Sequence, residues 1–254
     1  MIAAILTGVR LHMKQASRNP FDLSGVVVWP ILYASIAYYL LDAKHEPKLL
    51  LSASLGASVM IMWSLVVIAS SGALEQQRWQ GTLELVVAAP TPLSAVIGPV
   101  CVAGALVGVY AIGATLLWGA LLFDVPVKIL HPLAFAAAVP ACALAVGMLG
   151  LIMAATFVLY RASFHLGIAT QYPVWIATGL LVPFSLLPGF VRPISWLLAP
   201  TWGFRGMQEA ALGGTPWPDI GMCLVLSAVY LAIGGSCLIA FEYVARVRGS
   251  LRLT

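Results

Sequence analysis

The chain has 254 residues, of which 61% are hydrophobic and 9% are charged, and its formal net charge is +4. Soluble domains carry about 25% charged residues, so this composition indicates a membrane protein. The cations are scattered between apolar runs and do not cluster on one face. That distribution argues against nucleic acid as a partner and favours a positive-inside bias.

The first segment, residues 1–20, predicts an amphipathic helix in the membrane interface and not a span. One face carries apolar side chains at helical spacing: Ile2, Ile5, Leu6, Val9 and Met13. The opposite face carries Thr7, Arg10, Lys14 and Ser17, with its cations toward lipid phosphates. A cleaved signal peptide is the alternative, and it fits poorly because the following apolar run is too long.

Six apolar runs follow, and a bilayer-spanning helix needs about 20 such residues. The predicted spans are Leu23–Leu41, Leu49–Leu74, Leu93–Phe123, Pro132–Tyr160, Phe164–Leu187 and Ile220–Phe241. An even number of spans puts both termini on one side, and basic residues near both ends predict that this side is the cytoplasm. We therefore expect one all-α, multi-pass domain, residues 1–254, in the cell membrane, with lipids as its surroundings.

A short charged insert, residues 75–92, separates the second and third predicted spans. It has a break at Gly81, a candidate cap at Thr82 and an acidic residue, Glu84, where the first turn of a helix favours negative charge. Pro90 and Pro92 would stop that helix. This pattern predicts a compact helix at the membrane surface, suited to docking onto a partner.

The order and spacing of Glu75, Arg78, Gly81-Thr82-Leu83-Glu84 and Pro90 resemble the cytoplasmic coupling-helix region of ABC-2 type transporter permeases. The resemblance implies that the insert contacts a separate ATP-binding subunit. The residues it assigns to that contact are Glu75, Arg78, Trp79, Gly81, Thr82, Leu83, Glu84 and Pro90.

The segment at residues 188–214, between the fifth and sixth spans, is apolar but broken by Pro188, Pro193 and Pro200. Its pieces, Ile194–Ala199 and Thr201–Leu212, are too short to span, and irregular backbone at membrane depth must be buried in protein. Two short re-entrant helices are predicted, with Arg205 and Glu209 in the second, and this too resembles the ABC-2 family. An ordinary amphipathic outer loop is the alternative.

Aromatic residues in the first, second and fifth spans could together line an amphipathic cavity. The candidates for a translocation path or a dimer interface are Trp29, Tyr33, Tyr38, Trp63, Tyr172 and Trp175. Interfacial belts and ordinary packing are the alternative reading of each residue taken singly.

Catalytic and ion-coupling chemistry has no motif in the sequence. No lysine follows a glycine, so a P-loop is absent, and neither cysteines nor histidines have metal-ligand spacing. The resemblance then implies a non-enzymatic membrane subunit of an ABC exporter for drugs, lipids, lipid-linked polysaccharides or peptides. It also implies a second copy, or a homologous permease, and two ATP-binding subunits that hold ATP and Mg. An energy-independent scramblase or channel, or a membrane assembly factor, are the alternatives.

Overall fold

The computed structural model describes residues 2–18, 20–41, 47–82, 85, 89, 92–125, 127–157, 163–180 and 188–248. Over these ranges the regular structure is helical throughout, as the composition predicts. The helices are α1 (Ile2–Arg18), α2 (Pro20–Leu41), α3 (Pro47–Trp79), α4 (Leu93–Phe123), α5 (Pro132–Phe157), α6 (Ser163–Ala177), α7 (Arg192–Trp196), α8 (Ala199–Leu212) and α9 (Trp217–Arg248).

Four of these helices are long and apolar enough to cross a bilayer. Their candidate spans are Lys48–Ala73 in α3, Leu93–Phe123 in α4, Pro132–Phe157 in α5 and Trp217–Val244 in α9. The described apolar part of α2, Val27–Ile36, is shorter, and α6 has 15 residues. Crossing of the membrane by α2 and α6 therefore stays a prediction.

The predicted boundaries are met closely in the third span and less closely elsewhere. Helix α4 begins and ends at the predicted residues, whereas α3 continues five residues beyond the predicted end at Leu74. Helix α6 ends at Ala177, because Gly179 adopts a left-handed φ of 75° that a helix cannot contain. The rest of the predicted fifth span, residues 181–187, lies outside the described ranges.

Helix α3 lies at the centre of the bundle, in contact with α2, α4, α5, α6 and α8. Its candidate span is 72% buried, against 28% for that of α9, so α9 is peripheral. The apolar α3 side chains with no exposed surface are Leu55, Val59, Met62, Trp63, Val66 and Val67. A helix that is apolar on all sides can be enclosed in this way without burying an unpaired charge.

Small residues let neighbouring helices approach α3 closely. The pattern Gly104-x-x-x-Gly108 predicts close helix packing within the chain, and this is confirmed. Gly104 lies against Ala69 and Val66, and a methyl group on Gly108 would lie 2.9 Å from Met62 Cβ. Helix α4 is therefore held against α3 along a face of glycines.

Helix α1 packs on α4 and α2 and is exposed on its basic side. Gly8 packs on Pro99 of α4, where an added methyl group would lie 2.8 Å from the proline Cβ. Arg10, Lys14 and Arg18 are exposed. The contact with α4 and the exposed cations fit an interfacial helix, and its depth in a membrane stays a prediction.

Replacing Gly108 by alanine tests the α3–α4 contact. We expect Gly108→Ala to lower the stability by about 1–3 kcal/mol, because the new methyl group meets the backbone of Met62 as well as its side chain. Gly113→Ala is the matched control, since nothing lies within 4 Å of that position. The control should be neutral or gain up to about 1 kcal/mol from helix propensity. Thermal unfolding in detergent, followed by circular dichroism, measures both; equal melting temperatures would contradict the packing argument.

Candidate functional site

The insert leaves the bundle where α3 ends, and we call this side of the molecule the insert end. The first residues of the insert, up to Trp79, continue α3. Gly81 then takes a left-handed φ of 67°, and the Thr82 N–H donates to the Gln77 carbonyl oxygen at 3.0 Å. This is a Schellman ending, in which glycine avoids the strain that a Cβ would bring. The predicted break at Gly81 is thus the C-terminal signal of α3.

Thr82 is tied to the helix it follows. Its hydroxyl donates to Gln77 Oε1 at 2.5 Å and lies 3.3 Å from the Gln77 carbonyl oxygen. The predicted cap of a following helix involves Leu83 and Glu84, which lie outside the described residues, as does Pro90. One helical hydrogen bond follows, from the Ala89 N–H to the Leu85 carbonyl oxygen at 3.0 Å.

Two large apolar side chains of the insert are mostly exposed. Trp79 is 85% exposed and Leu85 is 71% exposed. Exposed tryptophan is a common anchor of protein interfaces because it buries a large area at small entropic cost. Arg78 lies in the last turn of α3, three residues after Glu75, and this spacing on one helix face predicts that the two side chains pair. The Arg78 side chain is outside the described set, so the pairing stays a prediction.

Glu75 contacts α6. Its Oε2 accepts the Phe164 N–H at 2.8 Å, in the first turn of α6. That N–H has no partner within its own helix, and the carboxylate also meets the favourable end of the helix dipole. One turn along, Gly167 packs on Ser71, where a methyl group would lie 2.7 Å from the Ser71 hydroxyl oxygen. The first residue of the predicted motif therefore joins α3 to α6.

Glu242, on α9, was missed by the sequence reasoning. Its Oε2 accepts the N–H of Leu93, the first residue of α4, at 2.9 Å. Pro92, which precedes α4, gives no side-chain cap of its own. An acidic residue near the end of the last apolar run is visible in the sequence, but its partner lies 149 residues away and only the fold brings the two together.

Four of the six predicted aromatic residues form a row between α2 and α6. The ring centroids of Trp29 and Tyr33 are 6.1 Å apart, those of Tyr33 and Trp175 are 5.9 Å apart, and those of Trp175 and Tyr172 are 5.2 Å apart. Trp29 is 49% exposed and Tyr172 is 59% exposed, whereas Trp175 is buried. The row thus joins an enclosed ring to exposed ones.

The other two aromatic candidates are positioned differently. Tyr38 stacks on Phe123 of α4, with centroids 4.4 Å apart. Trp63 has no exposed surface and belongs to the core around α3. Most of the α3 span is buried, and the sequence does not reveal which of its residues are enclosed because α3 is apolar around its whole circumference.

The proline-bounded segment folds into two helices, α7 and α8, with Pro193 and Pro200 in their first turns, where a missing N–H costs nothing. Pro188 is exposed and its carbonyl oxygen accepts the Val191 N–H. The turn between α7 and α8 lies deep along the bundle. The Tyr230 hydroxyl donates to the Leu197 carbonyl oxygen, about 20 Å along α9 from its first residue.

Helix α8 is largely enclosed and packs on α5, α9 and α3. Gly203 lies directly against Cys142, with no room for a Cβ. Gln208 Nε2 donates to the Ser52 hydroxyl at 2.6 Å. Helix α8 ends at Leu212 because Gly213 is left-handed, and the carbonyl oxygen of Glu209 accepts the N–H groups of the two glycines that follow.

Arg205 joins α8 to the start of α9. Its Nε lies 3.9 Å from Asp219 Oδ1, and its guanidinium carbon lies 5.3 Å from the Trp202 ring centroid. The Asp219 side chain is 4% exposed and that of Arg205 is 41% exposed. Asp219 lies one residue before the predicted sixth span and was not singled out from the sequence.

A comparison with protein-family models gives one match, to the family described as ABC-2 type transporter, over residues 4–212. This range contains α1 to α8 apart from the first residues of α1, and it contains the whole insert. Asp219 and Glu242 lie beyond the matched range. No curated protein matches the chain.

Replacing Arg205 tests the ion pair. We expect Arg205→Ala to destabilise the protein by about 1 kcal/mol, below the value of about 3–5 kcal/mol for a fully buried pair, because water screens the partly exposed guanidinium. Arg192→Ala, an exposed arginine at the start of α7, is the control and should change the stability by less than about 0.5 kcal/mol. Differential scanning fluorimetry in detergent compares the two; a larger loss from Arg192→Ala would be incompatible with the pairing.

Proposed function

Because the chain belongs to the ABC-2 type transporter family, we propose that it is the permease subunit of an ATP-driven exporter. The chain is helical over its described ranges and has four candidate spans. We further propose that α2 and α6 cross the membrane as well, which gives six spans. With basic residues near both ends, the two termini then lie in the cytoplasm.

The observation that carries the proposal is the exposed apolar surface of the insert. Trp79 and Leu85 protrude from the segment whose sequence resembles a coupling helix. In the proposed complex they anchor a separate ATP-binding subunit, one for each of two permease copies. We propose that ATP and Mg bind there, since the present sequence has no P-loop.

The aromatic row supports a proposed path between two copies of the chain. Trp29 and Tyr172 present half-exposed rings, and Trp175 continues the row into the protein. Tyrosine and tryptophan combine an apolar ring with a polar O–H or N–H group, which suits lipid, drug or glycosylated substrates. Helices α7 and α8, whose turn lies deep beside α9, are proposed as the re-entrant pair that closes the opposite side.

Truncation of Trp79 tests the docking role. We expect Trp79→Ala to weaken binding of the ATP-binding subunit by about 30-fold or more, as expected for an interface anchor worth 2 kcal/mol. Trp217→Ala is the matched control, because Trp217 is 63% exposed but lies at the start of α9. Biolayer interferometry with the permease in nanodiscs measures the affinity. Unchanged affinity after Trp79→Ala would argue against docking at the insert.

Crosslinking tests the assembly. In a Cys237→Ser background the remaining native cysteines, Cys101, Cys142 and Cys223, are buried. We expect Tyr172→Cys to give a disulfide-linked or bismaleimide-linked dimer, because the row faces the second copy across a two-fold axis. Tyr110→Cys on α4, at 53% exposure, is the control and should remain monomeric. Equal dimer yields at both positions would refute the assigned interface.

A further inference from the structure

Two glutamates from distant parts of the chain cap the starts of two helices at the insert end. Glu75 of α3 accepts the Phe164 N–H of α6, and Glu242 of α9 accepts the Leu93 N–H of α4. We call these two contacts the insert clamps. The insert occupies residues 75–92, so the first contact is made by its first residue, Glu75, and the second is made by Leu93, the residue that follows it.

We propose that Glu75 and Glu242 are positioning residues that fasten the two ends of the insert, one to α6 and the other to α9. A displacement of the insert then moves both helices with it. This inference rests on the proposed function, in which a nucleotide-driven partner displaces the insert.

The first clamp is reinforced by close packing. Gly167 lies against Ser71 one turn away from the Glu75 contact, so the two helices touch through a glycine on one side and a hydrogen bond on the other. Two contacts a turn apart resist both sliding and rotation of α6 on α3. Helix α6 also carries Tyr172 and Trp175 of the aromatic row. The clamp therefore connects the insert to the proposed path.

The second clamp lies over a small hydrophobic cluster of its own, separate from the main core. The Leu93 side chain is 2% exposed, and Leu238, one turn before Glu242 on α9, has no exposed surface. They pack with Ile97, Cys101, Leu151, Ala154 and Ala155. Leu93 is thus held twice, by its side chain in this cluster and by its N–H on Glu242.

Both clamps use the same chemistry. The first N–H groups of a helix lack partners within the helix, and the helix dipole adds a partial positive charge at that end. A carboxylate accepts a hydrogen bond from such an N–H group, and its negative charge interacts favourably with the helix dipole. The resulting charge-assisted hydrogen bond is stronger than a neutral one. A glutamine can accept the same hydrogen bond without the charge, whereas an alanine cannot.

Spin-label distances test the clamps in the permease bound to its ATP-binding subunit in nanodiscs. Labels at Gln80→Cys on the insert, which is not one of the proposed docking anchors, are paired with labels at His165→Cys on α6, Tyr243→Cys on α9 or Leu121→Cys on α4, all exposed positions. The background is Cys237→Ser. Distances are compared without nucleotide and with ATP plus vanadate. In the wild type, the distances from position 80 to 165 and 243 should stay constant while the distance to 121 shifts.

The clamp variants should separate the two contacts. Glu75→Ala should let the 80–165 distance change with nucleotide, and Glu242→Ala should do the same for the 80–243 distance. The Gln variants at both positions should behave as the wild type. Glu209→Ala, which removes a partly buried carboxylate at the other side of the bundle, is the control. Any one of three outcomes would overturn the proposal. They are alanine variants in which both distances stay constant with nucleotide, glutamine variants in which these distances change, and a wild-type insert that does not shift during hydrolysis.

Hydrogen exchange in the permease alone separates a failed clamp from a failed function. In Glu242→Ala, hydrogen exchange at the Leu93 amide should accelerate by about tenfold, because one charge-assisted hydrogen bond is lost. In Glu75→Ala, exchange at the Phe164 amide should accelerate by about the same factor for the same reason. Unchanged exchange would overturn the clamps themselves. Accelerated exchange in a permease to which no ATP-binding subunit binds would overturn the proposed function and with it the transmission, but not the contacts.

Discussion

The structure depends on one constraint: each backbone N–H and carbonyl group in an apolar bundle needs a hydrogen-bond partner within the protein. Helices satisfy most of them. The hydroxyl groups of buried serines and threonines in α3 and α4, such as Ser58 and Thr115, donate hydrogen bonds to carbonyl oxygens of their own helix. Helix ends need other partners, and the glycine ending at Gly81 and the carboxylates of Glu75 and Glu242 supply them.

Side-chain packing then decides how these helices, whose backbone groups are hydrogen-bonded, assemble into a bundle. Lipid tails are as apolar as the side chains, so contact between helices depends on close fit more than on exclusion of water. Glycines on α4 and α5 let both helices touch α3 closely: Gly108 meets Met62, and Gly150 meets Val66. The same device positions α8, where Gly203 meets Cys142. Helices α4, α5 and α8 therefore all pack on α3, and the insert begins in the last turn of α3.

This arrangement gives the insert a mechanical role in the proposed exporter. The insert begins in the last turn of α3, the most enclosed helix, and its Trp79 and Leu85 side chains are exposed. Glu75 and Glu242 hold its two ends by hydrogen bonds to helix starts. The helix held by Glu75 also carries part of the aromatic row. The proposed docking surface and the proposed path are thus connected through α3 and α6.

The sequence by itself determined the helical class, the bounds of α4, the position of the insert and the glycine face of α4. Each is local, because composition, run length, caps and residue size act within one segment. Only the tertiary structure decided that Trp63 is enclosed while Tyr172 is exposed, and that Glu242 reaches Leu93. A helix that is apolar on every side shows no preferred face, and a carboxylate does not indicate which distant helix start it will cap. Those choices follow from how the helices pack together.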